Sequence, residues 1–174
     1  MIAVIMSTYN GEKYLPQQLD SVLRQTLEDF ILIIRDDGSS DGTVPLLRGY
    51  TDERIVLLEG KNVGPCRSFA LLLQEAARRG AQQVYFCDQD DVWLPNKVSL
   101  ALSVLDGQDN SKPLLLGTLS HIVDSSMKPI MDLPVPKRPT SYYNAMIQNV
   151  LPGHTQVMNR AMLDLILQHG VRDV

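Results

Sequence analysis

The sequence predicts an α/β fold with a mostly parallel central sheet and helices on both faces. Three observations support this. Short apolar, β-branched runs alternate with segments whose apolar residues recur at helical spacing. The apolar runs end abruptly in polar clusters at Ser7, Asp36 and Asp88. The chain has 174 residues, enough for one domain with a real core.

Ile2 to Met6 reads as the first strand. Leu15, Leu19, Val22 and Leu23 then recur at i, i+4, i+7 and i+8, a helix with one apolar face. Phe30 to Ile34 is a second strand, stopped by Asp36, Asp37 and Gly38. Asp41 is placed to cap a short helix through Leu46 and Leu47. Arg54 to Leu58 is a third strand, and Gly60 to Pro65 a loop. Phe69, Leu72, Leu73, Ala76 and Ala77 form the face of a longer helix, with Gly80 as its stop. Val84 to Cys87 is a fourth strand. Pro95 suits the first turn of the helix carrying Val98, Ala101, Leu102 and Leu105. Leu114 to Leu119 is a fifth strand. Pro129, Pro134, Pro136 and Pro139 predict a mobile loop over Met127 to Pro139. Tyr142 to Val150 reads as a short helix. Thr155 to Met158 is a last strand, before a helix through Met162, Leu163 and Ile166.

Composition narrows the function. Hydrophobic residues make up 44% and charged residues 21%, the balance of an ordinary water-exposed domain. A net charge of −4 without a Lys/Arg block argues against a nucleic-acid partner. No apolar run reaches the ~18–20 residues that span a bilayer, and Ile2 to Met6 is too short for a signal peptide. Cys66 and Cys87 show neither metal spacing nor a disulfide framework, so a reducing cytoplasm is expected.

The chemistry concentrates in VYFCDQDDVW, Val84 to Trp93. Asp88, Asp90 and Asp91 stand where a buried strand surfaces. Like charges ~4 Å apart repel by roughly 4 kcal/mol at an effective dielectric of about 20. A bound cation offsets that cost; folding alone gives no reason to accept it. In open α/β sheets, ligands bind beyond the carboxyl ends of the strands. If the strands are parallel neighbours, Ser7 to Asn10, Asp36 to Ser40 and Asp88 to Asp91 converge on one crevice. Carboxylates and hydroxyls are hard ligands suited to Mg²⁺ or Mn²⁺, ions that finish their shell with phosphate and water. Arg67, after the Gly64-Pro65 turn, is placed to face a phosphate. A metal-bound nucleoside diphosphate is the expected ligand. The plainer readings are an Asp-Gly-Ser turn at Asp37, a surface charge at Arg67 and a structural histidine at His154.

Five stretches in series carry a family resemblance: IMSTYNGEKYLPQQLDSVLRQT, ILIIRDDGSSDGT, KNVGPCRSFALLL, VYFCDQDDVWLPNKV and LPGHTQVMNRAML. In order and spacing the chain resembles a family 2 glycosyltransferase with the GT-A (Rossmann-like) fold, and most of all its rhamnosyltransferase-like members. The resemblance implies a metal-dependent, inverting enzyme of bacterial polysaccharide synthesis. It would move a sugar from a UDP- or dTDP-linked donor to a saccharide or lipid-linked acceptor. Ser7 and Tyr9 would line the base pocket, and Asp37, beside Asp36, would bond the base. Arg67 would contact the nucleotide. Asp88 and Asp90 are the acids of a D-x-D motif, Asp90 on the metal and Asp88 near the ribose or sugar, with Asp91 in support. Gly153 and His154 would shape the donor-sugar and acceptor side.

The resemblance also divides the single domain, 1–174, into a nucleotide-binding part, 1–120, and the start of an acceptor part, 121–174. Its general base is expected beyond Val174, in a longer enzyme; Asp164 and Asp173 do not fit that pattern. The longer enzyme is expected in the cytoplasm, with the inner face of the membrane as a peripheral contact. Two other functions fit parts of the chain. Asp88 to Val92 matches the D-x-D-x-V string of haloacid-dehalogenase-type phosphatases, with Asp88 as nucleophile and Asp90 as acid. A non-catalytic nucleotide-sugar binding module needs no base at all.

Overall fold

The computed structural model describes residues 1–133 and 151–170. In chain order the elements are β1 (Ile2–Thr8), α1 (Leu15–Leu23), β2 (Phe30–Asp36), α2 (Thr43–Gly49), β3 (Ile55–Glu59) and α3 (Pro65–Arg78). Then come β4 (Gln83–Cys87), α4 (Lys97–Asp106), β5 (Leu115–Gly117), β6 (His121–Val123), β7 (Pro129–Asp132), β8 (Gln156–Asn159) and α5 (Arg160–His169). A 3-10 turn, Gly153–Thr155, leads into β8.

One sheet has the order β3-β2-β1-β4-β8-β5. β1 pairs in parallel with β2 and β4, and β2 with β3, while β8 runs antiparallel between β4 and β5. Thr8 lies opposite Asp36, and Met6 opposite both Ile34 and Cys87. This register brings the carboxyl ends of β1, β2 and β4 side by side. The sheet also unites the two stretches divided at residue 120, because β8 lies beside β4.

Strand alternation supplies two cores. Val4, Met6, Leu32, Ile34, Tyr85 and Cys87 pack against Leu15, Leu19 and Val22 of α1 and Val98, Ala101 and Leu105 of α4. Ala3, Ile5, Ile33 and Val84 pack on the other face against Leu72, Leu73 and Ala76 of α3 and Leu163 of α5. Each fully buried aliphatic side chain contributes about 1.5–3 kcal/mol. α3 ends as its sequence predicts. Gly80 adopts φ 83°, its N–H bonds the Ala77 carbonyl, and the Ala81 N–H bonds that of Ala76.

Several local expectations need correction. Asp41 does not occupy the capping position, which Gly42 takes; its carboxylate accepts the Thr43 N–H and hydroxyl just inside the helix. Pro95 precedes α4, whose capping position is Asn96, and its carbonyl accepts the Thr26 N–H. Residues 127–133 are not simply loop. Pro129–Asp132 is a strand paired antiparallel with the unforeseen β6, and Pro129 opens it, where a missing N–H is tolerated. The rest of the expected loop and the expected Tyr142–Val150 helix lie outside the described residues.

Asn159 joins three elements. Its side-chain oxygen accepts the Met162 N–H, capping α5, and the Leu114 N–H before β5. Its amide donates to the Lys112 carbonyl. Replacing a capping Asn costs about 1 kcal/mol, and each buried group left unsatisfied costs about 1–3 more. Asn159→Ala is therefore expected to destabilise the fold by about 2–4 kcal/mol. Urea melts measure this; a loss under about 1 kcal/mol would contradict the bonding described.

Candidate active site

The β2 end is built on a buried charge pair. Arg35 and Asp37 are 6% and 2% exposed. Nη1 of Arg35 donates to Asp37 Oδ1 at 2.5 Å and to Ser68 Oγ at 3.0 Å, while Nη2 donates to the Lys61 carbonyl at 3.0 Å. Asp37 also accepts the Val63 N–H on Oδ1 and the Gly64 N–H on Oδ2, both at 2.9 Å. The pair thus pins the loop after β3 to the sheet. Ser68 lies in the first turn of α3 and meets Ser7 Oγ at 2.6 Å, so β1 joins the same network. A Cβ on Gly60 would lie 2.5 Å from Arg35 Nη2, so the guanidinium needs glycine there.

Asp36 serves the neighbouring turn. Its carboxylate accepts the Gly38 and Ser39 N–H groups and the Thr8 and Ser39 hydroxyls. Gly38 has φ 80°, and a Cβ there would sit 2.9 Å from the Asn62 backbone nitrogen. Tyr9 is 49% exposed, at the end of β1. Arg67 is exposed in the first turn of α3. Ser7, Asp36 and Asp37 therefore come together at one sheet edge, with Tyr9 and Arg67 on the adjoining surface. Arg35 and Ser68 escaped the sequence reading, which closed the strand at Ile34. The available signal was a charge continuing a β-branched run directly into two acids.

After β4 the acidic segment meets the 3-10 turn. His154 Nδ1 lies 3.7 Å from Asp88 Oδ2 and 3.9 Å from Asp91 Oδ2. One ligand atom from each of Asp88, Asp91 and His154 falls within 4.8 Å of the others. These separations exceed hydrogen-bond length. They approach the ~3–4 Å spacing of atoms that share an ion at about 2.1 Å. Asp91 Oδ2 is buried without a hydrogen-bond partner among the described residues. Burial pushes the Asp91 carboxyl above its ordinary range, with His154 opposing. The donor set of two carboxylates and an imidazole fits Mn²⁺, and its carboxylates fit Mg²⁺. Asp90 is exposed and outside this trio.

Lys97 supports the turn from below. Its Nζ donates to the His154 carbonyl at 2.8 Å and lies 4.0 Å from the Trp93 ring centre. Burial holds its ammonium down at about 8, with the nearby Cys87, Asp91 and Asp88 opposing. Asp164 accepts the Arg160 guanidinium on α5; Asp173 lies outside the described residues.

The model of the Glycosyl transferase family 2 matches residues 3–156, so the chain belongs to that family. The chain is 29% identical over 168 residues to the Escherichia coli UDP-Glc:alpha-D-GlcNAc-diphosphoundecaprenol beta-1,3-glucosyltransferase WfgD, covering 94% of this chain and 62% of that protein. It is 30% identical over 105 residues to the Shigella flexneri dTDP-rhamnosyl transferase RfbG, covering 58% of this chain and 36% of that one. The fold is GT-A. S. aureus TarS 1-349 in complex with UDP-GlcNAc superposes with TM-score 0.72 at 21% identity, over 98% of this chain and 47% of that one. The Pyrobaculum calidifontis mannosyltransferase PcManGT, in complex with GDP-Man and Mn²⁺, gives TM-score 0.65 at 18% identity, over 97% and 46%. The chain thus spans between about one third and three fifths of these relatives' lengths. Membership of this family leaves the phosphatase reading without support.

Two measurements test the geometry. Arg35→Met leaves the Asp37 carboxylate buried without its counter-cation, and is expected to destabilise the fold by about 3–5 kcal/mol; a chemical melt within about 1 kcal/mol of wild type would contradict the pair. The Asp88 carboxylate raises the His154 pKa above its ordinary value against an opposing burial effect, with Asp91 adding to the rise. Stabilisation from that pairing is complete below the ordinary histidine pKa and is lost as pH rises through the raised one. Asp88→Asn is expected to lower the His154 titration midpoint, read by imidazole NMR; an unmoved midpoint would show that the two groups do not interact.

Proposed function

We propose that this chain is the donor-binding part of a metal-dependent, inverting glycosyltransferase of bacterial surface-glycan synthesis. Its donor is a UDP- or dTDP-linked sugar, and its acceptor a saccharide or lipid-linked glycan. The observation that carries the reading is the meeting of three strand ends, with Asp88, Asp91 and His154 clustered at one of them. The names of WfgD and RfbG, one a UDP-Glc and one a dTDP-rhamnosyl enzyme, support the two donor classes.

The residues divide the work. Ser7, Tyr9 and Asp37 form the base end, and Asp36 holds its turn. Asp37 is already committed to Arg35 and two loop N–H groups, so it orients the 61–64 loop against the base as well as facing it. Arg67 draws the nucleotide phosphates toward α3. Asp88, Asp91 and His154 would hold Mg²⁺ or Mn²⁺, and Asp90 is the acid of the D-x-D motif that the family resemblance assigns to the same ion. When bound, the ion supplies positive charge that offsets charge building on the departing diphosphate. Fixing the base end and the acidic end together sets the anomeric carbon in place for attack by the acceptor. Among the described residues no acid is assigned as the general base. Residues 1–120 supply the nucleotide-binding part, and 121–174 belong to the acceptor part. Among the described residues no helix is long and apolar enough to cross a membrane. Function in the cytoplasm at the inner membrane face fits a lipid-linked acceptor.

A melting scan with UDP, dTDP and GDP, each with Mn²⁺ and with EDTA, tests the reading. Ligand at a hundred times its dissociation constant stabilises by about 2.7 kcal/mol. UDP or dTDP is expected to raise Tm only with Mn²⁺. Asp91→Ala and Asp90→Ala should each remove the Mn²⁺-dependent gain while leaving the fold intact. Equal shifts with Mn²⁺ and EDTA in wild type would refute the metal assignment.

A further inference from the structure

We propose that Gln89 is a positioning residue that fixes the distance between the base end and the diphosphate end of the donor site. The inference rests on the donor-site reading above and adds a part to it. Gln89 lies between Asp88 and Asp90, in the variable place of the D-x-D motif. Its amide spends both of its groups on one residue. The Tyr9 N–H donates to Gln89 Oε1 at 3.0 Å, and Gln89 Nε2 donates to the Tyr9 carbonyl at 3.1 Å.

The pairing of β1 with β4 stops at Met6 and Cys87. Beyond it, the Gln89 side chain does what a neighbouring strand would do, engaging the N–H and C=O of a single residue. The acidic segment is thereby tied to the Tyr9 segment where the backbone ladder has ended. On its other side the Tyr9 segment is tied to the β2 turn. The Asn10 N–H donates to Ser39 Oγ, and Asn10 Oδ1 accepts the Ser40 N–H. Asn10 holds φ 49° to do so. The segment from Tyr9 to Gly11 is therefore a strut between the β2 turn and the acidic segment.

Gly11 makes room for this seat. A Cβ there would lie 2.3 Å from Gln89 Oε1, while the Gly11 N–H is held by Thr43 Oγ1. Gly11 has no left-handed backbone. Alanine at that position therefore acts by displacing the flexible end of Gln89. This gives two independent ways to break one tether.

A donor nucleotide spans both ends of the strut, whereas a nucleoside monophosphate depends mainly on the base end. The test titrates UMP against UDP, and dTMP against dTDP, in Mn²⁺ by calorimetry. In Gln89→Ala the diphosphate's affinity advantage over the monophosphate is expected to fall about tenfold, the worth of one to two hydrogen bonds. Monophosphate affinity should stay within about twofold of wild type, with Tm little changed. Gly11→Ala should reproduce the loss, and the double variant should lose no more than either single one. Gln89→Glu keeps the acceptor for the Tyr9 N–H but sets a carboxylate against the Tyr9 carbonyl, and should lose as much. Equal loss for mono- and diphosphate, or additive losses in the double variant, would overturn the proposal. A wild-type protein with no diphosphate advantage in Mn²⁺ would instead refute the donor-site reading on which it rests.

Discussion

The architecture of the site depends on a single buried guanidinium. Arg35 stands at the end of β2, where a parallel sheet flanked by helices offers little water. A buried charge is tolerated when it is paired and hydrogen-bonded. Arg35 meets that demand by collecting groups from separate parts of the chain: Asp37 beside it, Ser68 on α3 and the Lys61 carbonyl after β3. Satisfying one cation therefore forces β2, α3 and the 60–64 loop into one arrangement. Ser7 brings β1 into it through Ser68. This end of the sheet is cross-linked so that no one of these partners can leave without stranding the others.

The two ends of the site differ in kind. Around Asp36 and Asp37, carboxylate oxygens are occupied by N–H groups, hydroxyls and the guanidinium. Folding completes that chemistry. Around Asp88 and Asp91 it does not. Asp91 Oδ2 has no hydrogen-bond partner among the described residues, and His154 stands beyond hydrogen-bond reach of both acids. A buried acceptor of this sort is stabilised by any group that brings it a donor or a positive charge. Lys97 interacts with Asp88 and Asp91, but its ammonium is engaged with the His154 carbonyl and the Trp93 ring. It holds the turn without neutralising the acids directly.

Legibility in the sequence followed the range of the forces involved. Strands and long helices were readable because their periodicity is local: the Leu15–Leu19–Val22 stripe and the run into Asp36 each declare an element unaided. The convergence of three strand ends was readable too, since parallel topology follows from the alternation of elements. What escaped reading depends on contacts distant in sequence. Arg35 looks like the edge of an apolar run until Ser68 and Lys61 are seen around it. β6 and β7 were missed because strands of 3 and 4 residues leave almost no periodic signal. The cap supplied by Asn159 was missed for a related reason, since two of its partners lie before β5. Within the acidic run, residue type could not separate three neighbouring aspartates; backbone direction and the approach of His154 do so by bringing Asp88 and Asp91 together.

His154 reaches the acids because of a change in strand direction. β8 enters the sheet antiparallel to β4, pairing Tyr85 with Val157. The residues just before β8 must then lie beside the carboxyl end of β4, where the acidic segment begins. A parallel strand in that place would have brought its leading residues to the opposite edge, away from Asp88. The antiparallel partner is thus the means by which a late segment contributes to a site otherwise built from the first half of the chain. It also ties the position of His154 to the sheet itself, so the imidazole and the two acids keep their spacing without a direct bond between them.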